Sequence, residues 1–190
     1  MRQEGDYLLG YFAYLQTRQH AYYGGLLVTN TRGVPQEFRH SEGVKPTWIQ
    51  TALYGDSLES SLGMDALAPA LYGALTEKPD ILLIDEKGRK LFGSFVHLHC
   101  PAALLIPYDD SAKALGNFLC PEGSLLEAKE FSYADSYSER IYAYIEEDLY
   151  NPIGTRALEA AQNLMNLFSP FERIRTALTE IAQGEPGHKA

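Results

Sequence analysis

The chain has 190 residues, 45% of them hydrophobic, and a formal net charge of −9 from 16 basic and 25 acidic residues. This length and apolar content are those of one ordinary domain with a proper core. The negative charge makes the average surface repel nucleic acid and anionic membranes, although a local basic groove is not excluded. No signal-peptide pattern and no membrane-length apolar run occurs, and two cysteines do not indicate a secreted scaffold. We expect a cytoplasmic protein with one domain at 1–184 and a flexible tail at 185–190.

Three antiparallel strands are predicted near the N-terminus. The aromatic run at 7–15 is short enough for a strand, and a hairpin follows it. Gly24 and Gly25 open the apolar first arm of this hairpin, the residues at 30–33 supply its turn, and the second arm alternates. Alternation places Phe38 on the face opposite to Glu37.

Helical signals follow the hairpin. Thr47 and Gln50 have the spacing of a capping box, which predicts a helix beginning at this point. The apolar side of that helix would consist of Trp48, Ile49 and Leu53. Asp65 is predicted to cap a second helix, whose apolar positions are Leu67, Leu71 and Leu75.

Two continuous apolar runs, at 81–84 and 102–106, are typical of strands covered on both faces by helices. We therefore predict two buried parallel strands, joined by a short crossover helix at 89–98. The segment at 111–136 gives no clear pattern.

The last third is predicted to be helical, with helices at 138–150, at 152–168 and from Ser169 to Gly184. The final helix is the best marked, because Ser169, Pro170 and Glu172 fill its cap, first-turn and capping-box positions. Arg173 and Arg175, with Arg156 before them, could contact phosphate or a partner, and the alternative is that they lie on a solvated helix face.

The order of these elements resembles the ribonuclease H-like fold. In particular, KPDILLIDEKG followed by PAALLIPYD is similar to the segment of endonuclease V in which a strand ends in a metal-binding aspartate, and Asp85 matches that position. The resemblance implies a mixed α/β sheet with an N-terminal three-stranded antiparallel meander, two buried parallel strands and C-terminal helices. The family's first strand carries a catalytic aspartate, whereas the predicted first strand here contains no carboxylate, and Asp6 lies before it. A second phrase, EFRHSEGVKPTWIQTALYG, is similar to an uncharacterised bacterial family and implies no activity.

Acidic residues are the leading site candidates. Asp85, Asp109 and Asp110 follow the buried strands at their carboxyl ends, where ligands of α/β sheets usually bind. Together with Glu37 or Glu42 they could hold Mg²⁺ or Mn²⁺ through oxygen ligands. The alternative is that they terminate strands as caps and turn formers.

Weaker candidates for site residues are the two histidines and the cysteine of the sequence HLHC, at 97–100. His97 and His99 would point to one side of a strand and could begin a transition-metal site, but no further ligand is evident. The alternative is one partly buried and one solvated histidine. Nucleophilic chemistry at Cys100 or Cys120 would require a nearby base, and neighbours on a strand, such as His99 and Cys100, point apart.

These features favour a ribonuclease H-like module without catalytic competence, which binds a protein partner through its hairpin edge and C-terminal helices. One alternative is a divalent-metal-dependent nuclease or phosphodiesterase that uses Asp85, Asp109 and Glu37 with Mg²⁺ or Mn²⁺. Another is a small-molecule binding protein.

Overall fold

The computed structural model describes residues 6–88, 100–107, 126–131, 141–146 and 151–184. Within these ranges the chain forms one seven-stranded mixed sheet. Its strands are β1 Leu8–Gln16, β2 Tyr22–Asn30, β3 Pro35–His40, β4 Ile81–Asp85, β5 Ala102–Pro107, β6 Leu126–Phe131 and β7 Ile141–Glu146. Their order across the sheet is β3-β2-β1-β4-β5-β7-β6.

The first five strands have the predicted arrangement, a three-stranded antiparallel meander followed by two parallel strands. β1, β2 and β3 form an antiparallel meander, and β4 and β5 continue the sheet parallel to β1. Every residue of β4 is buried, as expected for a strand covered on both faces.

Helices cover both faces of the sheet. The α-helices of the described ranges are α1 Trp48–Tyr54, α2 Leu58–Ser61, α3 Ala68–Gly73, α4 Pro152–Gln162 and α5 Ser169–Gly184, and the covering layers come from α3 on one face and from α4 and α5 on the other. Leu67, Leu71 and Leu75, around α3, pack in the apolar cluster on one face. The buried stripe of α5, which includes Phe171, packs with α4 in the cluster on the other face. No helix in the described ranges is long and apolar enough to cross a membrane.

The glycine pair at the start of β2 lets both helical layers approach the sheet closely. A Cβ added at Gly24 would lie 3.2 Å from Leu67 Cβ, on the α3 side. A Cβ at Gly25 would lie 2.5 Å from Ile174 Cγ2, on the α5 side. Adjacent strand residues face opposite layers, so Gly24 allows the close approach of the α3 layer and Gly25 that of the α5 layer.

The predicted helix at 138–150 is wrong, because Ile141–Glu146 is strand β7 and pairs antiparallel with β5. The spacing of four between Ile141 and Ile145 suits a helix, but both positions also share one face of a strand. Aromatic and β-branched residues at 141–145 favour the strand, and pairing with β5 satisfies its backbone. Strand β6, which pairs with β7, lies in the segment that gave no clear pattern.

Two helical details also differ from the prediction. Asp65 does not stand at the start of a helix, because it lies inside a π-helical turn, Leu62–Leu67, that joins α2 to α3. The capping box of Thr47 and Gln50 is confirmed, but α1 contains no buried residue. Its predicted apolar side therefore faces outward. The predicted crossover helix at 89–98 lies outside the described residues.

Substituting Gly25 with alanine tests the close packing of α5 on β2. The added methyl would overlap a β-branched side chain in the core, so Gly25→Ala should lower the free energy of unfolding by about 1–3 kcal/mol. Urea denaturation measures the change. Gly73→Ala is the control, because nothing lies within 4 Å of that Cβ position; an equal loss in both variants would contradict the account.

Candidate functional site

The carboxyl end of β4 is the candidate site, since it carries the carboxylate that the sequence singled out. Ile81 and Leu83 face the α5 layer, and strand alternation puts Asp85 on the same side. Asp85 is only 7% exposed and is one of three buried polar or charged residues in the described part of the chain.

The Asp85 carboxylate is held by an arginine. Arg175 Nη2 donates to Asp85 Oδ2 at 2.5 Å, and both side chains are largely buried, at 14% and 10% exposure. The backbone N–H of Gly88 donates to the other carboxylate oxygen at 3.3 Å. Arg175 also contacts Glu172, one turn back on α5, at 3.3 Å. Asp85 is therefore a paired, hydrogen-bonded charge.

Arg175 does not lie on a solvated helix face. It lies next to the buried Ile174, at the flank of the apolar stripe of α5. This flanking position was visible in the sequence. Its partner was not, because Asp85 is 90 residues away.

The strands on either side of Asp85 supply apolar groups. On β5, Asp85 pairs with Leu105, which is fully buried. On β1, Phe12 pairs with Ile84, so the next position, level with Asp85, is the buried Ala13. Neither neighbouring strand therefore places a carboxylate beside Asp85.

The structure does not bring Glu37 to this site. β3 and β4 are separated by β2 and β1, and three interstrand spacings amount to about 14 Å. The two carboxylates also face opposite layers, because Glu37 pairs with Val28, which belongs to the α3-side cluster.

Glu37 instead connects the edge strand β3 to Thr76, which follows α3. Its carboxylate accepts hydrogen bonds from the Thr76 N–H at 3.0 and 3.1 Å and from Arg39 Nε at 2.7 Å. Desolvation raises the pKa of the Glu37 carboxyl, but these hydrogen bonds outweigh it and leave the pKa below its usual range. Phe38 points the other way, as predicted, and packs with the α5-side cluster.

Several candidate residues lie outside the described ranges: Asp109, Asp110, His97, His99 and Cys120. Glu42 is exposed in the loop after β3. Among the residues that the structure describes, no three His, Cys, Asp or Glu side chains are grouped closely enough to hold a metal ion.

Cys100 has the environment of a core residue. It is 1% exposed and packs in the apolar cluster on the α3 side. Desolvation by burial raises the pKa of its thiol, although a hydrogen bond with Tyr72 acts in the opposite direction. The thiol is therefore protonated at neutral pH, which does not fit a thiolate nucleophile.

A separate polar group lies on the α3 side, near the carboxyl end of β1. The Tyr14 hydroxyl donates to the Glu59 carboxylate, and Gln16 Nε2 donates to the Tyr22 hydroxyl at 2.8 Å. Burial, followed by the Glu59 hydrogen bond and charge, raises the pKa of Tyr14. An open cavity of about 570 Å³ lies beside this group, and Tyr22, Glu59 and Trp48 contribute to its lining.

Comparisons with solved structures identify the fold. A Ciona intestinalis endonuclease V variant, in complex with a 23mer DNA containing an inosine followed by a ribo-adenosine, superposes with a TM-score of 0.53 at 11% identity, over 95% of this chain and 87% of that chain. Human ENDOV superposes with a TM-score of 0.52 at 12% identity, over 94% and 87%. No protein-family model and no curated protein matches the chain. The chain therefore has a ribonuclease H-like fold similar to that of endonuclease V.

Removing Arg175 tests whether its pair with Asp85 is structural. Arg175→Leu leaves a buried carboxylate without its counter-ion, which should cost about 3 kcal/mol of unfolding free energy. Adding Asp85→Leu should recover part of that loss, because no unpaired charge then remains. Chemical denaturation of the single and double variants measures both effects.

Arg156→Leu is the control, since that arginine is exposed on α4 and its loss should change stability by less than about 0.5 kcal/mol. Strictly additive effects of the Asp85 and Arg175 substitutions would contradict the pairing.

Proposed function

We propose that this chain is a non-catalytic ribonuclease H-like module that acts by binding a protein partner. The observation that carries the proposal is the buried ion pair between Arg175 and Asp85. In the endonuclease V resemblance, Asp85 is the position of a metal-binding aspartate. Here a guanidinium, which carries its own positive charge, contacts that carboxylate.

The described residues at this position do not fit a divalent cation. Mg²⁺ and Mn²⁺ require several oxygen ligands, and two-metal phosphoryl chemistry relies on carboxylates that hold the ions. Beside Asp85 the adjacent strands carry Ala13 and Leu105, and Glu37 binds the backbone after α3 instead. A cation would also have to compete with Arg175 for the Asp85 oxygens.

The competing function is a divalent-metal-dependent nuclease that uses Asp85 with Asp109. Its support is that the similar Ciona structures contain DNA, which makes a nucleic acid a plausible partner. The net charge of −9 opposes it, because affinity for nucleic acid comes largely from cationic contacts with phosphates. A protein partner is consistent with that charge.

A nuclease assay separates the two functions. The full chain is incubated with end-labelled single- and double-stranded DNA and RNA, each with and without one inosine, in Mg²⁺ or Mn²⁺. Ciona intestinalis endonuclease V serves as the positive control. We expect no cleavage by the wild-type chain and no thermal shift with either ion.

Asp85→Asn is assayed in parallel to identify contaminating nucleases. Metal-dependent cleavage by the wild-type chain that disappears in Asp85→Asn would overturn the proposal. Cleavage that is equal in both proteins would be assigned to a contaminant, and repurification to the point of no cleavage would then support the proposal.

A further inference from the structure

Helix α1 exposes an apolar face that nothing in the described structure covers. Trp48 is 80% exposed, Leu53 79% and Ile49 50%, and none of the seven residues of α1 is buried. Successive helical residues are turned by about 100°, so Trp48, Ala52, Ile49 and Leu53 form one continuous arc of about 140°. Together these four residues are the α1 apolar face.

This helix is specified by its sequence although it contributes no core. The Thr47 hydroxyl accepts from the Gln50 N–H at 3.2 Å, and the Gln50 side chain accepts from the Thr47 N–H at 2.8 Å. Such a capping box fixes where the helix begins. A helix this short is marginal in water unless its apolar face packs against something. An apolar face on an exposed, capped helix is the expected form of a contact surface.

The charges around α1 define the chemistry of a partner. The charged residues of the segment 46–61 are Asp56 and Glu59, and Lys45 directly precedes this segment. Asp56, Glu59 and His20 line the cavity beside α1, together with Trp48, and no described lysine or arginine lines it. Apolar and acidic groups therefore lie side by side on one surface.

We infer that the α1 apolar face and the adjacent cavity bind a basic amphipathic segment of another protein. Its apolar side chains cover Trp48 and Leu53, and its lysine or arginine side chains enter the cavity beside Asp56. The inference rests on the proposed function, since it specifies the partner of the interaction module.

Charge complementarity favours this occupant over two others. A second copy docked through the same face by two-fold symmetry would bring two acidic surfaces together. An anionic membrane surface would be repelled by the same carboxylates.

Fluorescence of Trp48 provides the test, because Trp48 is the only tryptophan in the chain. The probe is a designed helical peptide of about 18 residues, with leucines on one face and lysines on the other. Its titration into the full chain should shift the Trp48 emission to shorter wavelength. The affinity should fall with added salt, as expected for a contact between opposite charges.

Matched variants decide where the peptide binds. Leu53→Ser should weaken binding by about tenfold, as for loss of an anchor side chain. Asp56→Asn should weaken it by a smaller factor, and a peptide with glutamates in place of lysines should not bind. Leu164→Ser is the control, because that leucine is 54% exposed elsewhere and should leave the affinity unchanged.

Equal peptide affinity in the Leu53→Ser and Leu164→Ser variants would overturn the inference. So would a concentration-dependent dimer of the chain that Leu53→Ser dissociates. A blue shift of the Trp48 emission with anionic lipid vesicles, equal to that with the peptide, would also overturn it. Nuclease activity with normal peptide binding would overturn only the proposed function. Lack of peptide binding without nuclease activity would overturn only this inference.

Discussion

The ion pair between Arg175 and Asp85 connects two elements that are far apart in the chain. It joins the carboxyl end of the central strand β4 to helix α5, which comes 90 residues later in the chain. Both side chains are mostly shielded from water, so each charge depends on the other for compensation. The pair also engages the carboxylate that the sequence singles out at the carboxyl end of β4.

The pair can form only because α5 lies close to the sheet. Gly25 leaves the space into which Ile174 packs, and Arg175 follows Ile174 at the edge of the same buried stripe. On the opposite face, Gly24 gives Leu67 and Leu71 a similar close approach. Two adjacent glycines thus set the spacing of both helical layers, and one of those spacings places the guanidinium within reach of Asp85. The α3 layer leaves α1 outside its apolar cluster, so the apolar side of α1 is exposed.

Local patterns in the sequence were sufficient for the order of the first five strands, the capping box of α1 and the start of α5. They failed where pairing with a distant segment decides the structure. The run at 141–146 fits both a helix and a strand, and β5 decides in favour of the strand. The burial of Trp48 and Leu53 could not be judged from spacing, because spacing defines a face but not what covers it. For the site, the sequence singles out Asp85 and predicts that Glu37 lies near it. The strand order separates these two residues, and Arg175 contacts Asp85 instead.

The central claim is that a guanidinium holds Asp85 in place of a divalent cation. Crystals of the full chain soaked in Mn²⁺ test it directly, because manganese gives an anomalous diffraction signal. The account predicts Arg175 on Asp85 and no anomalous peak at that carboxylate. A manganese peak at about 2.0–2.6 Å from an Asp85 oxygen, with Arg175 displaced, would contradict it.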